Sequence, residues 1–366
     1  MNYTLSIVIS GTLLLGIISG ALGCFAVLRK QSLLGDAISH AALPGICLAF
    51  LVTSDKHPLV LVIGAMIAGW LGAVILSIVT EHTTLKKDAV LGIILSVFFG
   101  FGLVLLTFIQ RMATAQKSGL NQYLFGSAST LLQEDLWVMG FLGSIVMILL
   151  VLFWKEFKVV SFDPAYASSL GYHVKTIDML ITMLIVVAIV IGLQTVGVVL
   201  MSALIIAPAV AARQWTDRLG IMVLISAGFG GISGVMGSLL SSAIFRMPTG
   251  PVIVVVMSII VILSLFFSPL RGLVWEWVRD YRNRTKIYEN RVLYNLWLLA
   301  KNHDDLTHAH SISTFEALGQ HWIKSSLTYL HQTGHVYQND IGHWGLTTQG
   351  INRAKIVSKQ LGLQDG

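Results

Sequence analysis

The chain has 366 residues, 55% of them hydrophobic and 11% charged, with a formal net charge of +6 and a mean hydropathy of +0.78. Soluble globular domains carry about 25% charged residues, so this composition excludes an ordinary soluble protein and points to an integral membrane one. The small positive excess suits basic residues along one membrane face better than nucleic-acid binding by the whole chain.

Apolar segments fall at 4–28, 33–53, 58–80, 89–109, 136–154, 177–194, 197–212, 219–244 and 250–270. Most reach the roughly 20 residues needed to cross about 30 Å of hydrocarbon. No basic residue precedes the first segment, and its length exceeds a signal-peptide core, so it reads as a retained span. The stretch 177–212 is too long for one crossing, at about 54 Å if helical throughout. Gly192-Leu-Gln-Thr-Val-Gly197 is its expected break, giving two spans or a span and a re-entrant piece. The count is therefore eight or nine. With nine crossings and the N-terminus outside, the interior loops hold Arg29, Lys30, Lys86, Lys87, Lys155, Lys158, Lys175, Arg213 and Arg218. The other side holds only Lys56, Arg111, Lys117 and Arg246. This asymmetry places everything after Arg271 in the cytoplasm. Cys24 and Cys47 both lie in apolar runs without metal-ligand spacing and read as small buried hydrophobes.

Composition divides the chain into a transmembrane domain at 1–270, a basic and aromatic membrane-exit linker at 271–286, and a small domain at 287–366. In the last, Val292, Leu293, Leu296, Leu299 and Ala300 share one face of an expected helix over 287–301. Short helices follow at 313–319 and 321–333, with Gly334 as a C-terminal cap. A strand–turn–strand at His335–Tyr337 and Trp344–Leu346 and a final helix from Thr348 complete the outline of a winged helix.

Gly35-Asp-Ala-Ile-Ser-His-Ala-Ala-Leu-Pro-Gly45 opens the second apolar segment. Four residues apart, Asp36 and His40 share one helix face. A carboxylate near mid-bilayer costs roughly 2.5–3.5 kcal/mol, so it faces a watery cavity or a partner. One carboxylate oxygen and one imidazole nitrogen suit manganese, iron or zinc. Two ligands leave the sphere incomplete, and a second copy across a two-fold axis would supply four. Spacing alone equally admits a structural contact between the pair or to neighbouring helices. Pro44 lacks its amide donor and is expected to bend the helix just beyond.

The run Leu34 to Gly45 resembles the signature of the manganese/zinc/iron ABC-transporter permease family. Ser202-Ala-Leu-Ile-Ile-Ala-Pro-Ala209 and Met247-Pro-Thr-Gly-Pro251 are similar to two further stretches of it. With the hydropathy pattern, the resemblance covers about residues 1–270. It implies an all-α polytopic fold of eight or nine transmembrane helices of ABC importer permease type, followed by the small α+β winged-helix-like domain. It implies that Asp36 and His40 line the path of the carried ion. It also implies these partners: a second permease subunit, identical or homologous; two cytoplasmic ABC ATPases; an extracytoplasmic metal-binding lipoprotein; and the lipid of a bacterial cytoplasmic membrane. No Walker A pattern occurs in the chain, so ATP hydrolysis belongs to another one, and the chain is no enzyme. No cofactor is expected to stay bound; manganese, iron or zinc is cargo.

The longest interior loop contains Ser161-Phe-Asp-Pro-Ala-Tyr-Ala-Ser-Ser-Leu-Gly171. Asp163 can cap a helix with Pro164 at its first position, and Gly171 can end it. This segment, with Ala165, Tyr166 and Leu170, resembles the family's coupling helix, which seats in a groove of the ATPase. An ordinary loop helix is the alternative. The membrane glycines read as close-packing positions and the methionines as core or lipid-facing.

Seven of the eleven histidines lie beyond residue 300. His303, Asp304, Asp305, His308 and His310 form a cluster suited to a divalent ion, with a solvated loop as the plainer reading. The tail resembles the winged helix of metal-dependent repressors. Yet its second and third expected helices carry only Lys324 as a strong base, so regulation or assembly is expected rather than DNA binding. The rival to an ATP-driven importer is a secondary metal transporter or channel with a metal-sensing tail.

Overall fold

The structure, a computed structural model, describes residues 3–53, 58–111, 126, 131–243, 247–301, 306–311 and 323–360. It divides into two compact units, Met1–Gly272 and Leu273–Gly366.

In the first unit the apolar segments become α1 (Tyr3–Leu28), α2 (Leu34–Thr53), α3 (Pro58–His82), α4 (Lys87–Arg111) and α5 (Gln133–Leu152). The short α6 (Trp154–Phe162) and α7 (Pro164–Ser169) follow, then α8 (Val174–Val196), α9 (Val198–Arg213), α10 (Leu219–Ala243) and α11 (Thr249–Phe267). Eight of these are long and apolar enough to cross a membrane, so the chain is a multi-pass membrane protein. The chain breaks between α8 and α9 at Gly197, whose φ of 88° and ψ of 165° belong to a region essentially reserved for glycine.

At 16 residues α9 is about 24 Å long, short for a crossing. Its ends nevertheless match those of α11. A Cβ built on Gly250, at the start of α11, would lie 3.1 Å from the Val196 carbonyl oxygen. At the far end the Trp215 indole donates to Ser264 Oγ at 3.1 Å, and the Ser268 hydroxyl donates to the Gln214 carbonyl. Helix α9 therefore runs beside α11 in the same direction, a shorter apolar helix alongside the eight of crossing length among the described residues. Other polar contacts sort the helix ends the same way. Tyr3 Oη donates to Gln133 Oε1 at 2.6 Å at one face, and Lys175 pairs with Glu81 at 3.0 Å at the other.

Two tight helix pairs organise this unit. Between α1 and α10, the Ser226 hydroxyl donates to the Gly20 carbonyl at 2.6 Å, and Thr12 and Ser238 hydroxyls meet at 2.9 Å. Between α2 and α3, Gly45 and Gly64 face each other so closely that a Cβ on Gly64 would lie 2.5 Å from the Gly45 carbonyl oxygen. Lipid is as apolar as leucine, so small residues and hydroxyls hold such helices together where the hydrophobic effect cannot.

The second unit contains α12 (Leu273–Lys301), α13 (Ile323–Gln332), β1 (Val336–Gln338), β2 (Trp344–Leu346) and α14 (Thr348–Gln360). The helix read over 287–301 begins instead at Leu273, because no glycine or proline interrupts the intervening sequence. Its core joins Val292, Leu293, Leu296 and Trp297 to Leu327, Leu330, Val336, Leu346 and Ala354. The strands pair antiparallel with Val336 opposite Leu346 and Gln338 opposite Trp344, one residue later on β1 than the sequence suggests. Asn339 Oδ1 accepts from the amides of Ile341 and His343, closing the turn. The helix expected at 313–319 lies outside the described residues.

Candidate metal path

Asp36 occupies the first turn of α2, where the positive end of the helix dipole favours a carboxylate. One turn on, His40 Nε2 stands 3.3 Å from Asp36 Oδ1. The His40 side chain is 11% exposed and that of Asp36 is 34% exposed, so the pair is a buried imidazole behind a carboxylate with an open side. His40 Nδ1 is buried with no hydrogen-bond partner among the described residues. The imidazole is wedged against Phe99 of α4, ring centroids 4.3 Å apart and nearly perpendicular.

Three contacts fix the depth of the pair. Phe99 stands at the middle of α4. Ile38, between the two site residues, reaches 3.6 Å from a Cβ built on Gly69 and 3.8 Å from one on Gly72, near the middle of α3. A Cβ on Gly35 would lie 3.4 Å from the Cα of Ser202 in α9. The carboxylate and imidazole thus sit about midway through the helical layer, at the start of a helix that begins well inside it. A polar pair at that depth, with an open side, is costly unless something polar meets it. Pro44 lies within α2, which continues through it to Thr53.

Asp163, Pro164, Ala165, Tyr166, Leu170 and Gly171 surround α7. Asp163 is the N-cap, its Oδ1 accepting from the Tyr166 amide at 3.0 Å, and Pro164 holds the first helical position. Gly171 ends the segment at φ 85°. Ala167 is buried and anchors the helix, while Phe162, Tyr166 and Leu170 are each more than half exposed. Pro164 borders a cavity of about 250 Å³ that Gln31, Glu81, Lys175, Asp178 and Thr182 also line. Beside it the Arg29 guanidinium pairs with the Asp178 carboxylate, joining the turn before α2 to the first turns of α8. In the sequence Arg29 stands out only as a loop charge. A lone carboxylate one turn into an apolar segment was the signal that Asp178 has a buried partner. No comparable signal marks Phe99.

Of the tail cluster, His303, Asp304 and Asp305 lie outside the described residues. His308 and His310 are placed with ring centroids 5.2 Å apart.

A family model described as the ABC 3 transport family matches residues 1–268. The chain belongs to that family. The zinc transport system membrane protein TroC of Treponema pallidum is 47% identical over 281 residues, covering 77% of this chain and 94% of the relative. The manganese transport system membrane protein MntC of Bacillus subtilis is 40% identical over 346 residues, covering 94% of this chain and 80% of the relative. That second match is longer than the first unit, so the similarity continues into the second. Among solved structures, PsaBC from Streptococcus pneumoniae in complex with Fab superposes with a TM-score of 0.66 at 31% identity, covering 74% of this chain and 93% of that one. Membership of the ABC 3 family thus rests on the region that contains α1 to α11 and the Asp36–His40 pair.

Proposed function

We propose that this chain is the permease subunit of an ATP-driven importer of manganese or zinc, with Asp36 and His40 as its half of the ion's site. The observation that carries the reading is the carboxylate–imidazole pair midway through the layer, with Asp36 open on one side and His40 Nδ1 unpartnered. Manganese and zinc are the ions for which the relatives are named; iron rests on the donor chemistry alone. A carboxylate and an imidazole make two ligands, so a second permease subunit supplies the rest across a two-fold axis, and water fills any remainder.

The partners follow from the same reading: two ATPase subunits on the cytoplasmic side, and an extracytoplasmic lipoprotein that delivers the ion. Helix α7 is the ATPase contact. Its cap fixes it, Ala167 anchors it, and Tyr166 and Leu170 offer exposed apolar area for a groove. A shift of α7 reaches the site through α8, the Asp178–Arg29 ion pair and the turn leading into α2. The second unit follows α11 into the cytoplasm by the loop-charge asymmetry, and its helices and hairpin form a winged-helix-type module. In this reading residues 1–270 are the transmembrane domain, 271–286 the membrane-exit linker and 287–366 the cytoplasmic domain.

The test is isotope uptake by the complete transporter in proteoliposomes. Asp36→Ala and His40→Ala each cut uptake at least about ten-fold, the scale on which metal sites respond to lost ligands or their supports, while ATP hydrolysis persists. Undiminished uptake in both variants refutes the site.

A further inference from the structure

His308 and His310 alternate along an extended segment whose residue His310 bridges antiparallel to Trp344 of β2. The backbone amide of His310 donates to the Trp344 carbonyl at 2.9 Å, and the Trp344 amide returns a bond at 2.8 Å. This bridge fixes His310 against the hairpin, and beside His308 the Tyr337 hydroxyl donates to the Thr307 carbonyl at 2.7 Å. Side chains two apart on an extended segment point to the same side. The rings accordingly meet, centroids 5.2 Å apart and planes at 71°.

That separation is informative. With metal–nitrogen bonds of about 2.0–2.1 Å and a tetrahedral angle, two imidazoles on one ion hold their ring centres roughly 5 Å apart. The pair already stands at that spacing. It borders an open, polar cleft of about 630 Å³ lined by Thr307, Ser311, Asn339 and His343 as well. Asn339 is committed to the hairpin turn, so His343 is the further nitrogen nearest in kind.

We propose that the His308–His310 pair binds a borderline divalent transition ion, zinc-like in its preference for imidazole, in the second unit. Among the described residues, no third imidazole, thiol or carboxylate stands close enough to close the coordination sphere. Imidazole is a good ligand for zinc, copper, nickel and iron and a poorer one for manganese or magnesium. A site built on these two imidazoles therefore responds to zinc-like ions and ignores abundant magnesium. Its reading as a sensor of imported ion rests on the function proposed above. The binding itself does not, and the experiment separates the two.

The probe is zinc, titrated calorimetrically into the full-length chain purified in detergent without a polyhistidine tag. Asp36→Ala/His40→Ala serves as background, so that the membrane site makes no contribution. In that background one zinc binds per chain. Adding His308→Ala and His310→Ala lowers the affinity at least ten-fold, whereas adding His335→Ala, whose ring is bonded to Thr333, leaves it unchanged. Cobalt provides the second readout: its visible absorption at one equivalent is present in the background and lost with the pair. Unchanged zinc affinity and cobalt absorption after loss of both histidines overturns the proposal, as does loss with His335→Ala alone. Uptake by the otherwise unmodified transporter carrying His308→Ala and His310→Ala stays at the wild-type level in low external metal. If it collapses instead, the pair belongs to the transport path and the sensor reading is wrong.

Discussion

Replacing Gly45 by alanine tests whether the α2–α3 contact sets the position of the metal path. A Cβ at Gly45 would overlap the Gly64 carbonyl oxygen and lie 2.7 Å from Ala68 Cβ; the reciprocal Cβ on Gly64 would lie 2.6 Å from Ala49 Cβ. Ordinary contact begins near 3.4 Å, so the helices must part by about 1 Å, and backbone cannot swing aside as a side chain can. Overpacking of this kind costs about 1–3 kcal/mol. At about 2–4 °C per kcal/mol for a domain of roughly this size, the unfolding midpoint falls by several degrees. Under the proposed function, uptake suffers more than stability. His40 lies five residues before Gly45 on the same helix, and metal–ligand distances tolerate only about 0.2 Å. Gly45→Ala is expected to reduce uptake at least ten-fold in protein that still assembles. Gly228 of α10 is the control, because a Cβ there meets nothing within 4 Å, and alanine gains up to about 1 kcal/mol of helix preference. The assay is tryptophan-fluorescence unfolding in detergent beside isotope uptake. A Gly45→Ala protein with wild-type midpoint and uptake would show that the helices do not approach as described.

Three further outcomes follow from the same contacts. Gly197→Ala forces a side chain into a glycine-only conformation at a cost of about 1–3 kcal/mol, lowering the midpoint by at least 2 °C in the same unfolding assay. Arg29→Ala strands the Asp178 carboxylate; since that side chain keeps 38% exposure, the loss is about 2 kcal/mol, below the roughly 3–5 of a fully buried pair. Adding Asp178→Asn to Arg29→Ala recovers part of that stability, and a double-mutant cycle measures the coupling. Tyr166→Ala and Leu170→Ala leave the permease folded but weaken its hold on the ATPase by roughly five-fold or more each, read as ATPase lost on gel filtration.

The membrane layout was legible because hydropathy, loop charge and helix punctuation are all local signals. Gly197 breaks the overlong 177–212 segment, and Asp163, Pro164 and Gly171 mark the caps of α7 by residue type alone. What sequence spacing could not separate was a ligand pair from a structural pair at Asp36 and His40. Depth in the layer, the Phe99 wedge and the partnerless Nδ1 now weigh on that choice, and each depends on a helix distant in sequence. The same holds for Gly45 against Gly64 and for Arg29 against Asp178, where nothing in either segment names the other. In the tail, apolar periodicity found the face of α12 but not its start, since basic and aromatic residues that suggest a membrane exit are also acceptable helix formers.

The most direct measurement is X-ray absorption at the metal edge of the permease–ATPase complex loaded at one ion per site without the lipoprotein, made with His308→Ala and His310→Ala in place so that the tail pair contributes no imidazole. The account predicts oxygen and nitrogen ligands with the multiple-scattering signature of imidazole, and loss of that signature in His40→Ala. An ion coordinated the same way with and without His40 contradicts it.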